Sequence, residues 1–182
     1  MEAIEQRTED LLAQVPSWIW GGESLPVPVE AIADSCFQLL VCDVEDMSAA
    51  PGCPEVEEGQ SLSGLLLASS GEIWVNAAEA REWPPRRRFT IGHELGHWVM
   101  HRSGQQALFC RRGTVAPEDQ VADTRPPLPV TEEEANTFAA ALLMPARLIR
   151  KHYADCSGDF DELCRRFDSS GAAMGRRLHA VV

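Results

Sequence analysis

The segment RRRFTIGHELGHWVMH, Arg86–His101, decides how the rest of the chain must be arranged. Apolar side chains recur along it at helical spacing, which predicts an amphipathic helix with one face in a core. Two of its histidines, His93 and His97, are four residues apart, so they share one face of that helix. Paired imidazoles on a helix flanked by apolar residues indicate a site that is built into the protein. The apolar positions are Phe89, Ile91, Leu95, Trp98 and Val99.

The HELGH motif in this segment has the spacing that a tetrahedral zinc ion needs, with nitrogen ligands about 2.0–2.1 Å from the metal. Glu94 lies on the adjoining part of the helix, where it can reach a water at the metal without being a ligand. It is therefore the predicted catalytic general base. The alternative, two surface histidines on an amphipathic helix, fits the apolar flanks poorly. Gly96 weakens a helix by about 1 kcal/mol relative to alanine, which predicts that another element packs closely there.

A catalytic zinc ion has three protein ligands and one open position, so a third ligand must come from another element. The segment TEEEANTFAAALLMP, residues 131–145, predicts a second helix that is capped by Thr131 and ended by its final proline. Glu132 is the favoured ligand because Asn136, four residues later on the same face, can hydrogen-bond one of the histidines. Glu134 is the alternative ligand. The predicted cofactor is one zinc ion.

A structural zinc site is the less favoured interpretation, because such sites are closed and usually contain cysteines. The six cysteines of the chain show no CxxC pair, and they are predicted to be free thiols. Cys110 could cap the metal in a resting form, but an ordinary thiol is the preferred interpretation.

The remaining pattern predicts an α+β fold. Strands are predicted in FQLLVCDVE, SGLLLASS and EIWVN, and short helices in the first fifteen residues, in PVEAIADSC and after residue 145. The expected architecture is a single domain with a small, mostly antiparallel sheet packed on the HELGH helix. Its expected parts are an N-terminal helix and linker (1–24), a catalytic core (25–145) and C-terminal helices (146–182). Residues 102–130, rich in proline, are predicted to form a long loop or lid.

The charge of the chain limits its partners. The formal net charge is −12, and arginines become frequent only from Arg81 onward. Duplex phosphates repel such a protein, so direct binding to nucleic acid is not expected. No segment is apolar enough to serve as a signal peptide or to span a bilayer, which predicts a cytoplasmic protein without a membrane partner.

Two motifs taken together, RFTIGHELGHWVMH and EEEANTFAAALLMP, resemble the ImmA/IrrE-type metallopeptidases, a zincin family. Weaker similarity in LPVPVEAIA, SGLLLASSGEIWVN and FDSSGAAMGRRL extends the resemblance from about Leu25 to Leu178. The first glutamate of the family's E-x-x-A-N/D pattern is a metal ligand, and it corresponds to Glu132. The resemblance implies a zinc-dependent endopeptidase that cleaves a helix-turn-helix (XRE-type) transcriptional repressor and so switches on stress or mobile-element genes.

The implied reaction is peptide-bond hydrolysis, with zinc held by the two histidines and Glu132 and the proton carried by Glu94. The motifs do not fix which group stabilises the oxyanion. Ile73–Asn76 is predicted to be an edge strand to which an extended substrate adds. The residues considered for contact with substrate or oxyanion, each with a structural role as the alternative, are Tyr153, His101, Trp74 and Asn76.

A function from another class remains open at this point. The chain could be a toxin or regulatory binding module that pairs with a helix-turn-helix antitoxin without cleaving it. The full set of HExxH residues and Glu132 favours the enzyme, because a protein that only binds a partner has no use for Glu94.

Overall fold

The computed structural model describes residues 2–50, 53, 61–101, 107–112 and 129–182, which form an α+β fold as predicted. The helices are α1 (Glu2–Gln14), α2 (Val29–Phe37), α3 (Ala77–Glu82), α4 (Pro84–His101), α5 (Val130–Leu143), α6 (Ala146–Asp155), α7 (Phe160–Phe167) and α8 (Gly171–Val181). The strands are β1 (Leu40–Val44), β2 (Ser61–Leu67), β3 (Glu72–Asn76) and β4 (Ala107–Arg112).

The four described strands form one sheet in the order β1-β3-β2-β4. β3 runs parallel to β1 and antiparallel to β2, while β4 runs antiparallel to β2. The sheet is therefore mostly antiparallel, as predicted. The expectation that Ile73–Asn76 is an edge strand was wrong, because β3 is hydrogen-bonded on both sides.

The predicted long loop at residues 102–130 was wrong for Ala107–Arg112, which pairs with β2 as β4. The partner of this strand lies some forty residues earlier in the chain, so local periodicity did not reveal the pairing. The other residues of that predicted loop, 102–106 and 113–128, lie outside the described part of the chain, as does most of the predicted loop before β2.

The two faces of the sheet contact different clusters of apolar side chains, as the alternation along a strand requires. Ile73 and Val75 of β3 belong to the large core, which also contains Ile91 and Leu95 of α4. Trp74, between them in sequence, packs with the smaller cluster on the opposite face. The sheet thus presents one side to α4 and places that helix in the centre of the fold.

Helices α4 and α5 run antiparallel and pack very closely, because glycine and alanine meet at their contact. A Cβ added at Gly92 would lie 3.4 Å from the Cβ of Ala139. One added at Gly96 would lie 3.1 Å from Phe138 Cδ1 and 3.3 Å from Ala135 Cα. This confirms the prediction that another element approaches Gly96, and it brings the first turn of α5 beside the histidines of α4.

The start of α5 differs from the prediction of a Thr131 cap. The helix begins at Val130 after Pro129, and no side chain caps it. The Pro129 carbonyl oxygen accepts hydrogen bonds from the backbone amides of Glu132 and Glu133, at 2.9 and 3.2 Å. Proline suits this position because its fixed φ is compatible with the entry into a helix.

The C-terminal residues form three helices, α6, α7 and α8, with breaks after Asp155 and Phe167 close to the predicted positions. Arg177 of α8 is 4% exposed, pairs with Glu5 of α1 and donates from Nε to the Met144 carbonyl at 2.8 Å. No helix in the described part of the chain combines the length and apolar character that crossing a membrane requires.

Candidate metal centre

His93 and His97 of α4 direct their ring nitrogens toward the first turn of α5, where Glu132 lies. The two Nε2 atoms are 3.0 Å apart. Glu132 Oε2 lies 3.2 Å from His93 Nε2, and Glu132 Oε1 lies 3.2 Å from His97 Nε2. Two helices that are distant in sequence therefore bring three possible ligand atoms to one point.

The arrangement fits a metal ion of the size of zinc. In a tetrahedron with bonds of 2.0–2.1 Å, neighbouring ligand atoms lie about 3.3 Å apart. The observed separations of 3.0 and 3.2 Å are close to that value. Two imidazoles with one carboxylate are also a donor set of catalytic zinc sites. Both imidazoles are buried, while the Glu132 side chain is 24% exposed, so the site can be reached from solvent.

The electrostatics of Glu132 suit a ligand. Burial acts to raise the pKa of this carboxyl group, but the two imidazoles beside it outweigh burial and lower the pKa to about 2. Glu132 is therefore a carboxylate at neutral pH, which is the form that binds a cation.

The second ring nitrogen of each histidine has a polar neighbour. Asn136 Oδ1 lies 3.0 Å from His93 Nδ1, in the position anticipated from the sequence. His101 Nδ1 lies 3.2 Å from His97 Nδ1. The other nitrogen of His101, Nε2, is 2.8 Å from Glu134 Oε2. Glu134, considered above as the alternative ligand, thus contacts His101, and Glu132 is the glutamate that converges with the two histidines.

Glu94 is a buried carboxyl group, and burying such a group costs free energy. Its side chain is fully buried, and neither carboxylate oxygen has a hydrogen-bond partner among the described residues. Burial raises the pKa of Glu94 to about 8, with His93 acting to lower it and Glu132 to raise it. In metal-free protein Glu94 is therefore mostly protonated at neutral pH, and a cation held by the neighbouring ligands would favour the ionised form that a general base requires.

Strand β2 crosses directly over Glu94 at Gly64. A Cβ added at Gly64 would lie 2.8 Å from Glu94 Oε1 and 2.3 Å from Thr90 Cγ2, both closer than atoms can approach. Only glycine therefore allows the strand to cover the carboxyl group. Sequence reasoning missed this residue, although a glycine inside an apolar strand is a known indicator of close approach.

Residues 62–179 match the M78 peptidase family, described as the IrrE N-terminal-like domain. The chain belongs to this family. The matched range begins in β2 and ends in α8, so it contains both helices that carry the converging residues. The resemblance inferred from the two motifs is confirmed.

Among solved structures, the M78 chain is similar to a Mycobacterium tuberculosis transcriptional regulator, with a TM-score of 0.56 and 18% sequence identity. The similarity covers 98% of this chain and 46% of that protein, so the chain spans less than half of its relative's length. At this identity the likeness shows a shared fold. No curated protein matches the chain.

The described contacts of Trp74 and Asn76 do not include the converging residues, and the substrate contacts considered for both stay a prediction. Trp74 lies on the face of the sheet turned away from α4, and its Nε1 donates to Glu72 at 2.9 Å. Asn76 Oδ1 accepts from the amides of Ala78 and Glu79, which caps α3, and its Nδ2 donates to the Leu62 carbonyl at 3.1 Å.

The described contacts of Tyr153 do not include the converging residues either. Its hydroxyl lies against Gly158, in the turn after α6, and the side chain is partly exposed. The role considered for Cys110 concerns a side chain outside the described part of the chain. Of the residues considered for substrate or oxyanion, His101 is therefore the one that the described contacts bring to the ligands.

Proposed function

We propose that this M78-family protein is a zinc-dependent endopeptidase that hydrolyses a peptide bond in a protein substrate. The observation that carries the proposal is the position of Glu94 beside three converging ligand side chains. Burying a carboxyl group without a hydrogen-bond partner costs free energy, so the stability of the fold does not explain a glutamate at position 94. A general base explains it, because the partner of such a group arrives with the substrate and water.

In this mechanism His93, His97 and Glu132 would hold the zinc ion. When bound, zinc polarises the substrate carbonyl and makes a water molecule acidic enough to lose a proton near neutral pH. Glu94 accepts that proton as the water attacks, and it then delivers the proton to the amine that leaves. Gly64 and the surrounding core keep bulk water away from Glu94 during both transfers.

The sheet order supports substrate binding along β4. Within the described residues, β4 pairs only with β2, the strand that covers Glu94. An extended peptide that added to the other edge of β4 would receive backbone hydrogen bonds that do not depend on its sequence. In this proposal the substrate binds at the opposite end of the sheet from β1, and not along the inner strand β3.

A helix-turn-helix transcriptional repressor is the proposed substrate, within a cytoplasmic setting. Two findings support this choice. The motif pair belongs to a family whose ImmA/IrrE-type members the sequence resembles, and a protein with the same fold is named a transcriptional regulator. Cleavage of a repressor would release stress or mobile-element genes from control.

The deciding experiment compares the wild-type protein with Glu94→Gln on purified helix-turn-helix repressors from the same organism, with and without a zinc chelator. Loss of the general base should lower cleavage by about 100-fold or more, while zinc content stays unchanged. Glu133→Gln is the matched control, since Glu133 is exposed on the first turn of α5 and should leave cleavage intact. Full cleavage by Glu94→Gln would remove Glu94 from the mechanism, and tight binding without any cleavage by the wild type would favour a binding module.

A further inference from the structure

Three polar side chains continue outward from the metal centre in a line that the proposed mechanism does not use. His97 Nδ1 lies 3.2 Å from His101 Nδ1, and His101 Nε2 lies 2.8 Å from Glu134 Oε2. The two rings are 5.3 Å apart between centroids and inclined by 53° to each other. The exposed fraction rises along the line, from 1% for His97 to 14% for His101 and 41% for Glu134.

For a neutral His101, the two contacts determine where the hydrogens lie. A carboxylate only accepts hydrogen bonds, so the N–H of His101 is at Nε2, facing Glu134, and its Nδ1 can only accept. The hydrogen between the two rings then belongs to His97 Nδ1, which leaves the Nε2 lone pair of His97 for an ion. In metal-free protein the Glu132 carboxylate, 3.2 Å from that Nε2, favours the opposite tautomer, so the relay acts against Glu132.

We propose that Glu134 and His101 form a relay that holds His97 in the tautomer that binds metal. The proposal rests on the metal centre of the proposed function and adds two positioning residues to it. Neither residue would touch the ion. Glu134 sets the hydrogen of His101, and His101 in turn sets the hydrogen of His97, whose Nε2 faces Glu132 at 3.2 Å.

His93 reaches the same state by a shorter route. The side-chain oxygen of Asn136 accepts directly from His93 Nδ1 at 3.0 Å, which leaves the Nε2 lone pair of His93 for an ion. Two residues of one helix thus orient the two histidines in different ways, since both Glu134 and Asn136 belong to α5. Packing of α4 on α5 therefore supplies the third ligand and orients the other two.

A surface ion pair is the simpler account of the contact between His101 and Glu134, since exposed pairs are common and contribute little. It does not account for the second ring nitrogen of His101, which lies within hydrogen-bond distance of a buried ligand. The two accounts differ in what happens at His97 when Glu134 is changed. Only the relay predicts that a change at Glu134 alters the tautomer of His97, which Glu134 reaches through His101.

The test uses two readouts on Glu134→Ala and Glu134→Gln. One is the zinc dissociation constant, measured by competition with a chelator of known affinity. The other is the tautomer of His97 in chelator-treated protein, read from the nitrogen chemical shifts of its ring. Glu134→Ala removes the acceptor and should weaken zinc binding about 10-fold, the lower end of what such supporting groups contribute. It should also convert part of His97 to the Nε2–H tautomer.

Glu134→Gln is the conservative variant, because its amide oxygen can still accept from His101 Nε2. It should keep zinc affinity within about threefold of the wild type, with the His97 tautomers in the proportions of the wild type. Glu133→Ala, an exposed neighbour in the same turn, should change neither readout. His101→Phe removes the middle of the relay and should reproduce the effect of Glu134→Ala on zinc.

Unchanged zinc affinity and an unchanged His97 tautomer in both Glu134→Ala and His101→Phe would overturn the relay while leaving the metal centre in place. If the wild-type protein binds no zinc, the proposed function fails, and the ring shifts of His97 still decide whether Glu134 controls its tautomer. Circular dichroism of each variant excludes a loss of zinc binding through unfolding.

Discussion

The carboxyl group of Glu94 is buried, and burial raises the free energy of its ionised form. Burial favours the neutral form and raises the pKa to about 8, and among the described residues no hydrogen-bond donor reaches the carboxylate oxygens. The raised pKa has a measurable consequence for folding, because the same group ionises near its ordinary value of 4.5 when the chain unfolds.

In metal-free protein, the proton on Glu94 stabilises the folded state fully below about pH 4.5, and this contribution is lost as the pH rises to about 8. The free energy of unfolding should therefore fall by up to about 1.4 kcal/mol per pH unit across that range, relative to Glu94→Gln. Glu132 does not mask the effect, because its lowered pKa places its titration below this window. Urea unfolding of both proteins with chelator at pH 5, 6, 7 and 8 makes the comparison, and parallel curves would contradict it.

Glu132 should dominate metal affinity among the three glutamates of its turn. Glu132→Ala removes one of three ligands and should weaken zinc binding by about 100-fold or more, beyond the effect of supporting residues. Glu133→Ala should leave it unchanged, because that side chain is exposed and outside the converging group. Titration of each variant with zinc against a chelator measures the order. A larger loss in Glu133→Ala than in Glu132→Ala would reassign the ligand.

At this scale the sequence predicted what depends on helical spacing and missed what depends on contacts between elements. His93, His97 and Glu94 follow from a motif, and the close packing at Gly96 follows from a helix-weakening residue in an otherwise good helix. The contact of His101 with Glu134 could not be predicted, because it needs the rotation of α5 relative to α4. That rotation is set by packing.

Strand β2 and helix α4 depend on each other at one position. Gly64→Ala would force a methyl group to 2.3 Å from Thr90 Cγ2 and 2.8 Å from Glu94 Oε1. The strand must then move off the helix, which should cost about 1–3 kcal/mol of stability. Displacement of Glu94 should also lower cleavage about 10-fold or more, while zinc affinity is kept because no ligand is touched.

Gly175→Ala is the matched control for this substitution. Gly175 lies on the exposed face of α8, and an added Cβ would meet no atom within 4 Å. Alanine should stabilise the helix there by about 0.5–1 kcal/mol. Thermal unfolding and repressor cleavage of the two variants check the pair, and equal effects on stability would show that β2 does not press on α4.

The elements themselves were easier to predict than their arrangement. Most helices and three strands follow from periodicity and from proline or glycine breaks. The order of the strands does not, because β1 and β3 pair in parallel across an intervening segment and β4 joins β2 from beyond α4. This is why β3 was expected at an edge and β4 was expected to be a loop.

At the scale of the whole molecule, the buried cation Arg177 connects helices from three parts of the chain. Arg177 of α8 pairs with Glu5 of α1, and its Nε donates to the Met144 carbonyl at the end of α5. Helices from the beginning, middle and end of the sequence thus share one side chain. Because Arg177 is used inside the fold, the pair Arg176–Arg177 offers only one exposed cation to a nucleic acid, in keeping with the acidic charge of the chain.

Arg177→Ala should leave Glu5 and the Met144 carbonyl without their partner and lower the free energy of unfolding by about 3 kcal/mol. Arg176→Ala, an exposed neighbour, should change it by less than about 0.5 kcal/mol. Chemical denaturation of the two variants makes the comparison. Similar midpoints would indicate that the three helices are held by apolar packing alone.

The narrow gap between α4 and α5 has a consequence for ion size. Gly92 and Gly96 face Ala139 and Ala135, so the two helices lie close together, and larger residues would push them apart. Glu132 would then lie farther from the two imidazoles, and the three ligand atoms would suit cations of greater radius, such as manganese or cadmium, better than zinc. Residues that make no bond to the ion would in this way determine which metal the protein binds.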